Sequence, residues 1–140
     1  VQTCALPIYA IWQNQRAILI TTNPDRYCPF PGGKGEPDAA AIVAAIEAST
    51  NTKCLANMGK PDRTMIDTVL ASLGVAAENT IMVGDRIETD IRMAANAGMS
   101  SALVLTGDSK LQDVPSYAEE FRPTYILNTI DALIPGGSVV

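Results

Sequence analysis

Two acids stand five residues apart in Val83-Gly84-Asp85-Arg86-Ile87-Glu88-Thr89-Asp90, directly after the apolar run Thr80-Ile81-Met82-Val83-Gly84. A short, fully apolar run of this kind reads as a buried strand. In open parallel sheets, ligands bind at the carboxyl ends of the strands. Asp85 therefore falls at a strand end, and Asp90 in the first turn of the helix that follows. The chain turns back between them, so both carboxylates can point into one crevice. Converging acids repel unless a cation lies between them, and hard carboxylate oxygens suit Mg²⁺. The same pair also reads without chemistry, with Asp85 capping the helix and Asp90 favouring its dipole. Taken alone, the two readings stand level.

Lys60 is the second candidate, in Gly59-Lys60-Pro61. Pro61 suits a first helical position, which places the lysine just before a helix start, where the dipole disfavours a cation. A lysine there is offset by an anion, and phosphate fits. An isolated loop lysine is more commonly just solvated. The surrounding order favours function: Gly-Lys-Pro, a helix, an apolar strand, then Gly-Asp-x-x-x-x-Asp. Pro31-Gly32-Gly33-Lys34-Gly35 lacks the spacing of a nucleotide-binding loop and reads as a turn. The five methionines lie in apolar segments and read as core.

The elements that must position these residues follow from periodicity. Ala17 to Thr22 reads as a strand, and the segment 23–37, with four prolines and three glycines, as a loop. A helix is predicted from Asp38, with Ile42, Val43 and Ile46 on one face, and a short strand over 53–58. Met65, Ile66, Val69, Leu70 and Leu73 form a helical stripe closed by Gly74. A further helix runs from about Glu88 to Ala97 and stops at Gly98. Ala102 to Thr106 is a strand, Tyr125 to Asn128 a weaker one, and Ile130 to Ile134 a short helix. Strand and helix alternating in this way imply an α/β fold with a mostly parallel, doubly wound sheet. Strands 80–84 and 102–105 lack polar alternation, so helices are expected on both faces.

Composition removes several function classes. The net charge is −5, and the ten basic residues are scattered, which argues against nucleic acid. No apolar run approaches the ~20 residues needed to span a bilayer, so a soluble protein is expected. There is no histidine, and the three cysteines show no Cys-x-x-Cys spacing. Zinc sites, disulfide frameworks and histidine-dependent hydrolases are thus disfavoured, and the thiols read as those of a cytoplasmic protein.

The motif order resembles motifs three and four of haloacid dehalogenase-like phosphatases, in the NagD-like, 4-nitrophenylphosphatase-like branch (subfamily IIA). Thr21-Thr22-Asn23-Pro24-Asp25 looks like a cap-domain loop of that group. Leu103-Val104-Leu105-Thr106-Gly107 and Arg122-Pro123-Thr124-Tyr125-Ile126 are similar to its tail. The resemblance covers about residues 16–134. It implies a partial doubly wound, Rossmann-like core with part of an α/β cap: residues 9–52 as cap remnant and 53–140 as the C-terminal half of the core. It further implies that Lys60 holds the transferring phosphoryl group, that Asp85 ligates Mg²⁺, and that Asp90 supports the metal from behind or through water. Asn23 and Asp25 would face the substrate, a small phosphorylated metabolite. Relatives of this group often pair through their caps, so the resemblance allows a homo-oligomer in a full-length form and leaves the oligomeric state open. In such enzymes an aspartate attacks phosphorus, and a second acid two residues later protonates the leaving group.

That nucleophile motif, Asp-x-Asp-Gly, is missing, and no Asp-x-Asp of any kind occurs in the chain. The upstream Ser/Thr phosphate-binding motif is missing too. In the family fold the nucleophile strand lies beside strand 80–84. Its absence predicts an unpaired apolar edge, marginal stability or self-association, and no activity. Val1 to Ile8 match what the end of a widely used sequencing-adapter oligonucleotide would encode, so authentic sequence is expected to begin near Tyr9. Two competing readings are a short α/β module that binds an anion or Mg²⁺ without turnover, and a second polypeptide supplying the nucleophile strand.

Overall fold

The computed structural model describes residues 2–14, 16–30 and 32–134, with the backbone alone for 2–4. Val1, Pro31 of the glycine-rich turn, and the last six residues assigned to the core half lie outside the described residues. The chain divides into two compact units, Val1–Gly59 and Lys60–Val140.

The first unit opens on helix α1 (Gln2–Gln13), which runs through Pro7 and packs on α2 (Ala39–Thr50). Strands β1 (Leu19–Thr21) and β4 (Cys54–Asn57) pair in parallel. Segment 23–37, expected to be loop, instead holds an antiparallel hairpin of β2 (Tyr27–Phe30) and β3 (Lys34–Pro37). Both hairpin strands are exposed along their length, so no apolar alternation marked them. Gly32 and Gly33, at φ 82° and 74°, supply the left-handed turn between them. Asp38 caps α2 by accepting the Ala39 N–H at 2.7 Å. Among the described residues of this unit, Leu19 and Ile46 are the buried apolar side chains.

The second unit carries helix α3 (Thr64–Leu73), strand β5 (Ile81–Gly84), helix α4 (Arg92–Ala97), strand β6 (Ser100–Val104) and strand β7 (Tyr125–Leu127). The three strands form a parallel sheet in the order β5-β6-β7. Gly74 and Gly98 end α3 and α4 at φ 66° and 73°, as the sequence requires. Two predicted boundaries move. The Lys60–Pro61 bond is cis, and α3 begins at Thr64 rather than at Pro61. Asp62 accepts the Thr64 N–H at 2.8 Å and starts the helix instead. The helix expected from Glu88 opens with a π turn, Ile87–Ile91, whose Ile91 N–H donates to Arg86 O, before α4 takes over.

Two apolar clusters hold this unit. Ile66, Leu70, Met93, Ala94, Ala97 and Met99 form one; Ile87, Ile91 and Leu103 form the other. Burying each of the larger side chains contributes about 1.5–3 kcal/mol. Residues 101–104 of β6 are buried, so Ala102 to Val104 fall as the apolar run predicts, while Leu105 is only half-buried. Strand β5 departs from the same expectation: it is the edge of the described sheet, and Ile81 is left 38% exposed. Among the described residues no helix is long and apolar enough to cross a membrane.

Candidate functional site

Lys60 and Asp90, thirty residues apart, meet at the end of β5. Lys60 Nζ donates to Asp90 Oδ1 at 2.6 Å, and the lysine side chain is 41% exposed against 3% for the aspartate. The ammonium thus neutralises a buried carboxylate while keeping access to solvent. It has three N–H donors, so donors remain for an anion. Asp90 is fixed a second time, because its Oδ2 accepts the Arg86 N–H at 3.1 Å. Gly84 makes room for it: a Cβ at Gly84 would stand 2.3 to 2.4 Å from Asp90 side-chain atoms. That is the physical reason for glycine before Asp85.

Glycine before Lys60 has a similar reason. A Cβ at Gly59 would lie 2.0 Å from Thr22 O, so the two backbones touch there. Asn57 brackets the same glycine, accepting its N–H at 3.0 Å and donating to its carbonyl at 3.1 Å.

Asp85 follows Gly84 directly, at the carboxyl end of β5 as expected. Its Oδ2 accepts the Asp108 N–H at 2.9 Å, and its backbone carbonyl accepts the Ser109 N–H at 3.0 Å. Composition of this turn gave no signal for it beyond the glycine that closes Leu103 to Gly107. Both oxygens of Asp90 are engaged by protein donors, whereas one oxygen of Asp85 has a protein donor. The donor set therefore fits Mg²⁺ through Asp85, an ion that takes one or two carboxylates and otherwise keeps water and phosphate oxygens. Among the described residues no cluster of three or more acids or cysteines gathers to hold a metal by itself. Thr89 Oγ1, on the same π turn, is buried without a hydrogen-bond partner among the described residues.

Asn23 and Asp25 belong to the first unit. Thr21 Oγ1 donates to Asn23 O at 2.7 Å, Asn23 Oδ1 accepts the Asp25 N–H at 2.8 Å, and Asn23 Nδ2 donates to Asp38 Oδ2 at 3.3 Å. The loop after β1 is thereby pinned to the start of α2. Asn23 also lines a cavity of about 410 Å³ with Asn57, Glu47 and Cys54. Structure brings Lys60, Asp85 and Asp90 into one neighbourhood within the second unit, and Asn23 beside Asp25 in the first.

A family model described as HAD-hydrolase-like matches residues 57–133. Glycerol-3-phosphate phosphatase of Gallus gallus is 34% identical over 125 residues, which are 84% of this chain and 40% of that protein. The crystal structure of 4-nitrophenylphosphatase from Thermotoga maritima is 36% identical with a TM-score of 0.73, covering 90% of this chain and 45% of that one. Glycerol phosphate phosphatase from Mycobacterium tuberculosis, solved in complex with magnesium, is 31% identical with a TM-score of 0.75, covering 90% of this chain and 36% of that one. The chain spans less than half the length of each of these relatives.

Proposed function

This chain belongs to the haloacid dehalogenase-like hydrolase family, in its NagD-like, 4-nitrophenylphosphatase-like branch, and on that premise we propose that it carries the lysine-and-metal half of a phosphomonoester hydrolase site. The observation that carries the reading is the 2.6 Å Lys60–Asp90 pair beside Asp85 at one strand end. In this reading Lys60 binds a phosphoryl oxygen of a small phosphorylated metabolite. Asp90 orients and partly neutralises Lys60, and its support of the metal is indirect. Asp85 supplies a carboxylate oxygen to Mg²⁺, which when bound neutralises charge on the phosphoryl group. Asn23 and Asp25 serve the substrate side of a cap formed in part by residues 9–52, and the core half begins near residue 53.

The relatives named for glycerol phosphate and 4-nitrophenyl phosphate support a small phosphate ester as substrate. Attack on phosphorus needs a carboxylate from an Asp-x-Asp-Gly segment, and none stands in these 140 residues. The chain alone is therefore expected to release no phosphate from glycerol 3-phosphate or 4-nitrophenyl phosphate with Mg²⁺ present. A form extended by such a segment is expected to turn over, and Lys60→Ala in it to lower kcat at least about a hundredfold. Mg²⁺-dependent turnover by the pure 140-residue chain overturns the inactivity. An extended form indifferent to Lys60→Ala overturns the role given to the lysine.

A further inference from the structure

Lys60 stands at the head of the segment 60–63 that leads into α3, and one element holds that segment at both ends. The element is the π turn together with α4, residues 87–97. Asp90, in the turn, accepts from Lys60 Nζ at 2.6 Å. Further along the same element, Asn96 Nδ2 donates to Pro61 O at 2.9 Å. The contact is returned, because Arg63 Nη1 donates to Asn96 O at 3.3 Å. That carbonyl lies in the last turn of α4, where carbonyls lack intrahelical partners and a cation is favoured. Arg63 is fixed in its turn by the Asp67 carboxylate of α3, through Nε at 2.7 Å and Nη2 at 3.0 Å, the two-point fork that a guanidinium makes best.

We propose that Asn96 is a positioning residue for Lys60: its amide, set on Pro61 O and answered by Arg63, fixes the root of the lysine so that the ammonium rests on Asp90. A lysine ammonium is a point charge on a flexible four-carbon stem, so its place depends on where the main chain holds the stem. The carbonyl that Asn96 holds belongs to the very next residue. Asp90 then fixes the tip of the same side chain, and both grips come from one stretch of chain, so root and tip keep their spacing. The use of this arrangement rests on the reading of Lys60 as the cation for a phosphoryl oxygen; its geometry does not.

The test follows the Lys60 ammonium in the ¹⁵N-labelled 140-residue chain, its signal identified by its loss in Lys60→Arg, and reads how fast its protons exchange with water. In wild type the pair with Asp90 is expected to slow that exchange relative to the exposed Lys34. Asn96→Ala is expected to speed it about two- to tenfold, the range that one hydrogen bond supports. Asn96→Gln, which keeps the amide donor on a longer stem, is expected to recover part of the difference. Asn96→Asp, which sets a carboxylate against Pro61 O, is expected to recover none, and serves if the alanine variant fails to fold. Leu70→Val controls for general loosening: it trims the buried core under α3, and is expected to lower the urea midpoint while leaving exchange at Lys60 unchanged. A wild-type Lys60 that exchanges as fast as Lys34 overturns the proposal, because nothing is then positioned. Asn96→Ala with wild-type exchange overturns it too, as does Leu70→Val that speeds exchange equally. The chemical level is read in the form extended by an Asp-x-Asp-Gly segment. There, Lys60→Ala without effect on kcat removes the lysine's role and leaves the positioning intact. Asn96→Ala that lowers kcat as much in the Lys60→Ala background as alone overturns the positioning, since the two residues then act independently.

Discussion

Asp90 is the most constrained acid of the site, and its constraint makes Lys60 a structural residue as well as a chemical one. Removing the ammonium leaves a buried carboxylate held by a single N–H from Arg86. Lys60→Ala is therefore expected to destabilise the chain by about 1–3 kcal/mol, below the full cost of breaking a buried pair because the lysine is partly exposed. Asp90→Asn in the Lys60→Ala background is expected to recover part of that loss, since the uncompensated charge goes with it. Urea unfolding of the two single variants and the double variant closes the cycle; strictly additive losses would show that the pair is not coupled. Lys60, Asp85 and Asp90 were legible because their types and order carry chemistry. Asp108 was not, because it acts through its backbone N–H, which every residue but proline carries; Gly107 showed only as the glycine that closes the run from Leu103.

At the scale of elements, the sequence was readable wherever apolar residues kept a period, including elements that stay partly exposed. Helices α2 and α3, strands β4 to β7 and the glycine stops at 74 and 98 fall where the apolar pattern puts them. The misses share a cause. The β2–β3 hairpin is exposed on both strands, the π turn obeys a hydrogen-bond offset with no composition of its own, and Pro61 suits several local structures. At that last place the helix starts at Thr64, whose N–H is held by Asp62, and the Asp62 carboxyl sits below its ordinary 3.8 chiefly because Thr64 hydrogen-bonds its charged form. A depressed carboxyl contributes stability that is fully present above 3.8 and disappears as pH falls through its lowered folded value. Asp62→Ala is thus expected to lower the denaturation midpoint near neutral pH, with the gap to wild type closing in acid below 3.8. A gap that stays constant with pH would assign the start of α3 to something other than the charged side chain.

For the molecule as a whole, the edge of the second unit's sheet is expected to govern behaviour in solution. Strand β5 has β6 on one side and no described strand on the other, so a row of backbone N–H and C=O groups faces outward. Such an edge is a template for pairing unless charge or proline blunts it. Ile81-Met82-Val83 offers neither, and Ile81 is exposed. Helix α3 of the same unit adds Met65, Val69 and Leu73, spaced four residues apart and all exposed, one apolar stripe along the helix. Edge and stripe together favour association. The 140-residue chain is therefore expected to sediment faster as its concentration rises. Ile81→Lys combined with Leu73→Glu is expected to hold it as a monomer over the same range, because each places a charge on one of the two apolar features. Sedimentation velocity on both decides the matter: a wild type that stays monomeric throughout means the edge is already protected, and a double variant that associates like wild type places the contact elsewhere. A lysine at 81 also tests the expectation that a strand belongs beside β5, since supplying a peptide with an apolar run ending in Asp-x-Asp-Gly should suppress association of the wild type and leave the blunted variant unaffected.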